Sequence, residues 1–206
     1  SKALQEKDIL LREIHHRVKN NLQMISALLY LHGKSLDDTP AQAALMESQN
    51  RVQSMAIIHQ NLYQQENLLG VGVQEYLDKL IHHLIDSYNI EKDRIEIYKR
   101  IEIQHLDVDT VIPLALIINE LISNALKYAF RDGRQGVIHV NIGMVDGVIQ
   151  LEVKDNGIGF PETNAGGGNF GFKLIHILSE RLGATLNINS DKGTSVTLLV
   201  PQIKAA

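Results

Sequence analysis

The first 66 residues carry apolar side chains at the spacing of long helices, and this pattern most constrains the fold. One stripe repeats in steps of three and four, and it comprises Leu11, Ile14, Val18, Leu22, Ile25 and Leu29. A second stripe comprises Leu45, Val52, Met55, Ile58 and Leu62. Apolar positions at this period share one side of a helix. Two helices are therefore predicted, one over about residues 2–32 and a second that follows the polar turn Lys34–Pro40 and runs to about residue 66, and together they form a helical hairpin.

A single hairpin buries little apolar surface, because each helix has a second flank to cover. Two hairpins packed as a four-helix bundle would cover those flanks. We therefore expect a homodimer that forms through the hairpin of residues 1–67.

The periodicity changes after Gly70-Val71-Gly72, which predicts a domain boundary at these glycines. Helical periods over 73–87, 111–129 and 173–182 interleave with strand-like alternation over 94–103, 136–145, 148–155, 184–189 and 194–200. Thr110 is predicted to cap the second of these helices, which puts Pro113 in its first turn. The expected fold is a helical hairpin over 1–67 followed by an α/β sandwich over 72–203, with antiparallel strands and helices on one sheet face.

Composition excludes several classes of protein. The 206 residues include no cysteine, which excludes disulfides, zinc–thiolate sites and thiol catalysis. A formal net charge of −4 argues against a nucleic-acid binder, and we find no run of about 18 apolar residues to span a membrane. The chain starts at Ser1 without a signal-peptide pattern. We expect a cytoplasmic protein whose sensor domain lies upstream, so that the full-length chain could still be tethered to a membrane.

The segment Asn119–Tyr128 places polar side chains along one side of an apolar helix. Glu120, Asn124 and Lys127 lie at i, i+4 and i+7 and therefore share a face. An amide oxygen from Asn124 can serve as one ligand of Mg²⁺ while phosphates and water supply the rest. Lys127 can neutralise phosphate charge, and Glu120 can orient or deprotonate a nucleophile. The competing interpretation is an amphipathic helix with a polar edge.

Two glycine-containing segments follow, each of which taken alone also fits a plain turn or loop. Asp155–Phe160 comes directly after a strand, where a buried carboxylate accepts a hydrogen bond from the exocyclic amine of adenine but not from guanine. Gly157 and Gly159 let the backbone pass close to a flat base. Gly166–Phe172 then leads into a helix, where free N–H groups favour phosphate and the glycines suit a mobile lid.

Together, in this order, the three segments resemble the N box and the two glycine boxes of the GHKL (Bergerat) ATP-binding fold of gyrase, MutL, heat-shock chaperones and histidine kinases. Gly193-Thr194 resembles a later element of the same family. The resemblance implies that ATP and Mg²⁺ bind here. The nucleotide contacts it implies are Asn124 (which also binds Mg²⁺), Lys127, Tyr128, Asp155, Gly157, Gly159, Gly168, Phe170, Gly171 and Thr194.

The segment Glu13–Gln23 contains two adjacent histidines and resembles the phosphoacceptor segment of sensor histidine kinases related to the HWE group. The absence of tryptophan removes the element that names that group and favours a neighbouring subfamily. Apolar residues lie at −2, +2, +6 and +9 from His16, a spacing similar to that around the acceptor of other histidine kinases, so His16 is preferred to His15 as nucleophile. The seven other histidines show no convergent metal-ligand spacing.

These expectations define a protein-histidine kinase in a two-component system. His16 would attack the γ-phosphate of ATP, with Glu120 and Lys127 as further catalytic residues. The resemblance implies that the phosphoryl group then passes to an aspartate of a response-regulator receiver domain. Glu13, one turn before Arg17, is another candidate base. Two alternatives use the same pocket: an ATP-gated clamp or ATPase that does not label itself, and a scaffold with a degenerate ATP site.

Overall fold

The N-terminal part of the computed structural model is a helical hairpin. The structure describes residues 2–64, 71–88, 94–131, 133–159 and 170–201. Helix α1 spans Lys2–Lys34 and helix α2 spans Thr39–Gln64. Gly33 lies against Leu45 near the turn, where a Cβ added to the glycine would be 3.8 Å from the Cβ of Leu45. The Gln42 side chain closes the turn by donating to the carbonyl oxygen of Leu36, so the hairpin predicted from the two apolar stripes is present.

The remainder of the chain is a sandwich of helices on a sheet. Its helices are α3 (Val73–Ser87), α4 (Val108–Asn124) and α5 (Phe170–Arg181). Its strands are β1 (Val71–Gly72), β2 (Ile95–Ile101), β3 (His105–Leu106), β4 (Gly136–Val145), β5 (Val148–Asp155), β6 (Thr185–Asn189) and β7 (Ser195–Pro201). The main sheet has the order β2-β4-β5-β7-β6, and β1 pairs with β3 separately.

The expectation of an antiparallel sheet is wrong for one pair of strands. β2 and β4 run parallel, with Ile97 opposite Ile138, whereas the other three pairs of the main sheet are antiparallel. Helix α4 lies between β2 and β4 in the chain, and a helical crossover returns the chain so that the next strand points the same way. Alternating apolar residues do not distinguish these directions, because the side-chain period is the same in both.

The core lies between one face of the sheet and the three helices of the sandwich. Ile138, Val140, Leu151 and Leu198 line the inner sheet face and are at most 1% exposed. Twelve consecutive or nearly consecutive positions of α4 are buried, so this helix is covered on almost every side. Burial of each aliphatic side chain contributes roughly 1.5–3 kcal/mol to the stability of the fold. Helix α4 is therefore the central element of the core, and this packing supports the polar residues that the helix carries.

Helix α4 starts one turn earlier than the sequence suggested. Asp107, rather than Thr110, is the N-cap, and its carboxylate accepts from the Thr110 N–H at 2.9 Å and from the Thr110 hydroxyl at 2.7 Å. Pro113 consequently lies in the second turn rather than the first. Within the described residues, Val108–Ala129 is long and apolar enough to cross a membrane by length and composition alone, and 72% of its apolar 18-residue window is buried inside the protein. Its length and hydropathy are those of a core helix.

Candidate nucleotide and phosphoacceptor site

The polar residues of the N box lie at the C-terminal end of α4, where the helix widens. Ala125–Ala129 forms a π-helical turn that continues α4 directly. Such turns add a residue to one helical cycle and are frequent at functional sites. Lys127 and Tyr128 lie on this widened turn, while Glu120 and Asn124 lie on the regular helix before it.

Asp155 is fixed at the end of β5 by backbone groups from two segments. Its side chain is 6% exposed, and its Oδ1 accepts from the Gly157 N–H at 2.9 Å and the Thr194 N–H at 3.2 Å. Burial raises the pKa of this carboxyl, and the hydrogen bonds from Gly157 and Thr194 only partly oppose the rise. The structure thus brings Thr194 to the turn of Asp155 and Gly157, although Thr194 lies 39 residues after Asp155 in the sequence.

The turn after Asp155 packs against the end of the widened helix. The Ile158 N–H donates to the carbonyl oxygen of Ala129 at 3.1 Å. A Cβ added to Gly157 would lie 2.4 Å from the Cβ of Ala129, and one added to Gly193 would lie 2.2 Å from the Asp155 carbonyl oxygen. Gly159 has a φ of +69°, a conformation that favours glycine. Glycine is therefore required at these positions so that three backbone segments meet around Asp155.

The start of α5 packs against the side of α4 that carries Glu120 and Asn124. Phe170, the first residue of α5, is 63% exposed, and the adjacent Gly171 is buried. A Cβ added to Gly171 would lie 2.7 Å from Glu120 Oε2 and 3.8 Å from Asn124 Nδ2. Glu120 and Asn124 therefore converge beside the start of α5. Gly168, which the resemblance also implies in the nucleotide site, lies outside the described residues.

Asn124 has the chemistry of a ligand for Mg²⁺. Within the described part of the chain, its buried Nδ2 has no hydrogen-bond partner. The orientation of an amide is set by its partners, so this side chain is free to turn its oxygen toward a cation. An amide oxygen together with phosphates and water is a usual magnesium environment. Among the described residues, no three His, Asp or Glu side chains cluster as a metal site of their own.

Glu120 does not face open solvent but is held by an arginine of the hairpin. Arg51 on α2 donates through Nε and Nη2 to the two Glu120 oxygens, with 2.8 Å between Nη2 and Oε2. The Glu120 side chain is 3% exposed and that of Arg51 is 11% exposed. The Arg51 guanidinium also lies 4.8 Å from the centre of the Phe170 ring. A residue predicted to act in catalysis is thus one half of a bidentate ion pair between the hairpin and the sandwich.

Lys127 is held in the same way by a carboxylate of α2. Glu47 Oε2 lies 2.8 Å from Lys127 Nζ, and the other Glu47 oxygen pairs with Arg51. Burial favours a higher pKa for Glu47, but the bonds and charges of Lys127 and Arg51 outweigh it and hold the pKa below its usual range. For Lys127, burial favours a lower pKa, and Glu47 together with Tyr88 reverses this and raises the pKa. Both groups are therefore charged and paired.

A third contact between α2 and α4 is uncharged. The Ser54 hydroxyl donates to Asn119 Oδ1 at 2.7 Å, and the two residues are 0% and 1% exposed. Glu47, Arg51 and Ser54 occupy i, i+4 and i+7 of α2 and therefore share one face. We did not predict these residues or Asn119 from the sequence. Their helical spacing was visible, but nothing in it indicated which surface they contact.

The phosphoacceptor candidates lie on α1. His16 is exposed to solvent, and the side chain of His15 lies outside the described part of the structure. Glu13 accepts from Arg17 Nε at 2.8 Å in an exposed pair, so this candidate base is already bonded to its neighbour. Tyr128, another predicted nucleotide contact, is 37% exposed and stacks with Arg131 at 4.9 Å.

Comparison with known proteins agrees with this arrangement. The family model described as "Histidine kinase" matches residues 13–88, and the model described as "Histidine kinase-, DNA gyrase B-, and HSP90-like ATPase" matches residues 109–204. The sensor histidine kinase PdtaS of Mycobacterium tuberculosis is 31% identical over 206 residues, covering 97% of this chain and 41% of that protein. Blue-light-activated histidine kinase 2 of Erythrobacter litoralis is 28% identical over 215 residues, covering 95% of this chain and 58% of that protein.

A solved structure has the same fold. The histidine kinase domain of a blue-light activated kinase from Erythrobacter litoralis superposes with a TM-score of 0.69 at 24% identity, covering 98% of this chain and 94% of that domain. The chain belongs to the histidine kinase family, and it contains a helical hairpin region matched by the histidine kinase model and a GHKL-type ATPase domain. It spans about two fifths to three fifths of the length of these curated relatives.

Proposed function

We propose that this protein uses Mg-ATP to phosphorylate itself on His16 and then passes the phosphoryl group to an aspartate of a response-regulator receiver domain. The observation that supports the proposal is that Asp155 is buried in a turn packed on Ala129 at the end of the widened helix, while Asn124 lies beside the start of α5, in the same chain as an exposed histidine within the region matched by the histidine kinase model. A buried carboxylate at one end and a buried amide at the other fit the two ends of a nucleotide.

In this proposal the adenine amine donates to the Asp155 carboxylate, and the phosphates lie toward Asn124 and Lys127. Asn124 holds Mg²⁺, which supplies charge neutralisation for the phosphates when bound. The Asp155 turn is fixed by backbone contacts to Ala129 and Thr194. Such fixed donors and acceptors reduce the entropic cost of positioning a nucleotide.

The chemical step is an in-line displacement at phosphorus. A ring nitrogen of His16 forms the new P–N bond as the bond between the γ-phosphorus and the β–γ bridging oxygen breaks, and ADP leaves. Glu120 accepts the imidazole proton, and Lys127 neutralises the charge that develops on the transferring group. In the second step the aspartate of the partner displaces His16 and the P–N bond breaks.

The hairpin also supports a homodimer. Ile14, Met24, Ile25, Leu28 and Leu31 of α1 are each 43% exposed or more. In a single copy these side chains form an apolar face along α1, and a second hairpin of the same kind would cover it. Cytoplasmic placement and an upstream sensor domain belong to the same proposal.

Labelling with γ-³²P-ATP tests the function. We expect a label on the protein that is lost in acid and stable in base, that disappears in His16→Gln and that persists in His15→Gln. The label should move to a cognate receiver domain but not to one whose acceptor Asp is replaced by Asn. Phosphate release without a protein label would instead identify an ATPase, and a label that survives in His16→Gln would remove His16 from this role.

A further inference from the structure

The contact of α2 with α4 and the widened turn after it joins four charged side chains into a linear, neutral row of ion pairs. Lys127 pairs with Glu47, Glu47 pairs with Arg51, and Arg51 pairs with Glu120. Two positive and two negative charges alternate along the row. The row is at least three-quarters buried at each member, since side-chain exposure runs from 3% at Glu120 to 25% at Glu47. Because the two positive and two negative charges cancel, the row offers little net electrostatic attraction to a phosphate.

Both sandwich residues in this row are the ones the proposed reaction needs. Lys127 cannot hold Glu47 and a phosphate through the same donors at full strength, and both oxygens of Glu120 already accept from the Arg51 guanidinium. Asn124 lies between them in the chain, and within the described residues its Nδ2 has no hydrogen-bond partner. The hairpin thus pairs with the two charged side chains of the candidate site and leaves the amide nitrogen of Asn124 unbonded within the described residues.

The position of His16 along the hairpin agrees with a resting arrangement. Gly33 on α1 lies against Leu45 on α2, so these two residues are at the same height along the axis of the hairpin. At 1.5 Å per residue, His16 lies roughly 25 Å from that level on α1, and Arg51 lies roughly 9 Å from it on α2. The side chain of Arg51 also tilts toward the N-terminus of α2, away from His16. Attack on phosphorus requires a ring nitrogen of His16 to come within about 3–3.5 Å of the phosphorus atom. While Glu120 is paired with Arg51, Glu120 is therefore out of reach of His16.

We infer that Glu47 and Arg51 of α2 form a latch that holds the ATP-binding domain in a resting state, and that Mg-nucleotide and the latch compete for Glu120 and Lys127. This inference rests on the proposed function of those two residues. Ser54 and Asn119 extend the same contact by one turn without charge. Opening of the latch frees the catalytic carboxylate and the phosphate-binding lysine together, and it allows the sandwich to move along the hairpin toward His16.

Competition of this kind makes nucleotide affinity depend on the latch. The apparent dissociation constant for nucleotide equals the intrinsic constant divided by the fraction of molecules in which the latch is open. Arg51→Gln removes the charge between two carboxylates, which then repel each other and favour opening. We expect this variant to bind a non-hydrolysable ATP analogue with Mg²⁺ about tenfold more tightly than the unchanged protein. Lys79→Gln, which breaks an exposed pair with Glu75 on α3, is the matched control and should leave the affinity unchanged.

A reversible crosslink provides an independent test, because the chain contains no cysteine of its own. Ser54→Cys with Asn119→Cys places two thiols on side chains that are now in direct contact, with 2.7 Å between the Ser54 hydroxyl and the Asn119 amide oxygen. Mg-nucleotide should slow formation of this disulfide at least several-fold, since binding and latching are reciprocal. The oxidised protein should bind the analogue more weakly and take no label from ATP, and reduction should restore both. The single-cysteine variants control for oxidation itself.

The outcomes separate the latch from the proposed function. Absence of a His16-dependent label even in the reduced protein would contradict the kinase reaction. A crosslinked protein that labels at the rate of its reduced form would show that the contact need not open, and the latch would be wrong. If the double variant does not fold, Arg51→Gln decides the question alone. Affinity equal to that of the unchanged protein overturns the inference, and weaker affinity overturns it and makes Arg51 a contributor to nucleotide binding.

Discussion

Replacement of Asp155 by Asn is the sharpest test of the nucleotide site, because it changes one atom and keeps the local fold. The Asn Oδ1 can still accept from Gly157 and Thr194, which now donate to Asp155 Oδ1 at 2.9 and 3.2 Å. The second oxygen becomes an NH₂ group, which cannot accept from the amine of adenine but can donate to the carbonyl of guanine. Loss of one hydrogen bond to a charged acceptor costs about 1.5–3 kcal/mol.

This cost corresponds to an affinity for an ATP analogue that is roughly ten- to a hundredfold weaker. The affinity for the matching GTP analogue should fall much less, so the preference for adenine should shrink by most of that factor. Both are measured by calorimetric titration without turnover. Asp146→Asn is the control, since it makes the same chemical change at the exposed β4–β5 turn, where Asn tolerates the positive φ. Unchanged ATP affinity in a folded Asp155→Asn protein would refute the assignment of adenine to this carboxylate.

Three further outcomes follow from the geometry. Gly157→Ala should lower the free energy of unfolding by about 1–3 kcal/mol in denaturant titration, because its Cβ would overlap Ala129; an unchanged midpoint would show that the turn relaxes freely. Ile117→Ala removes a side chain that is 0% exposed in α4 and should cost about 2–5 kcal/mol in the same assay, whereas a loss under about 1 kcal/mol would place it outside the core. Because burial raises the pKa of Asp155, protonation should begin to weaken nucleotide binding at a pH above the ordinary Asp value of 3.8 as the pH falls, and a pH profile identical in Asp155→Asn would contradict this.

Much of the sandwich follows from local patterns. The strand predicted over 136–145 agrees with β4, and the one over 148–155 agrees with β5, because Asp146-Gly147 is a strong hairpin signal. Helix boundaries were less accurate. The start of α4 was missed by three residues because two potential caps, Asp107 and Thr110, precede the same apolar run, and only their mutual hydrogen bonds distinguish the cap from a first-turn residue.

The residues of the candidate site also fall into two groups, those that were predicted from the sequence and those that were not. Asp155 and Gly157 were predicted from the sequence, since buried acids at strand ends and glycines at close approaches have a recognisable local chemistry, whereas Thr194 was predicted only from the resemblance to the GHKL family. Their roles in nucleotide binding stay predictions, as do those of His16, Glu120 and Lys127. Arg51 and Glu47 were not singled out, because a charged pair on an amphipathic helix usually faces water.

The sequence by itself determined the elements, the apolar faces and the residue types that can bind a nucleotide and accept a phosphoryl group, because each depends on neighbours within one or two turns or strands. Tertiary structure alone decided the parallel pairing of β2 with β4 and the pairing of Glu120 and Lys127 with Arg51 and Glu47. Both depend on how distant segments are placed in space. Ion pairs in particular need only complementary charges at the right distance, which no periodicity records.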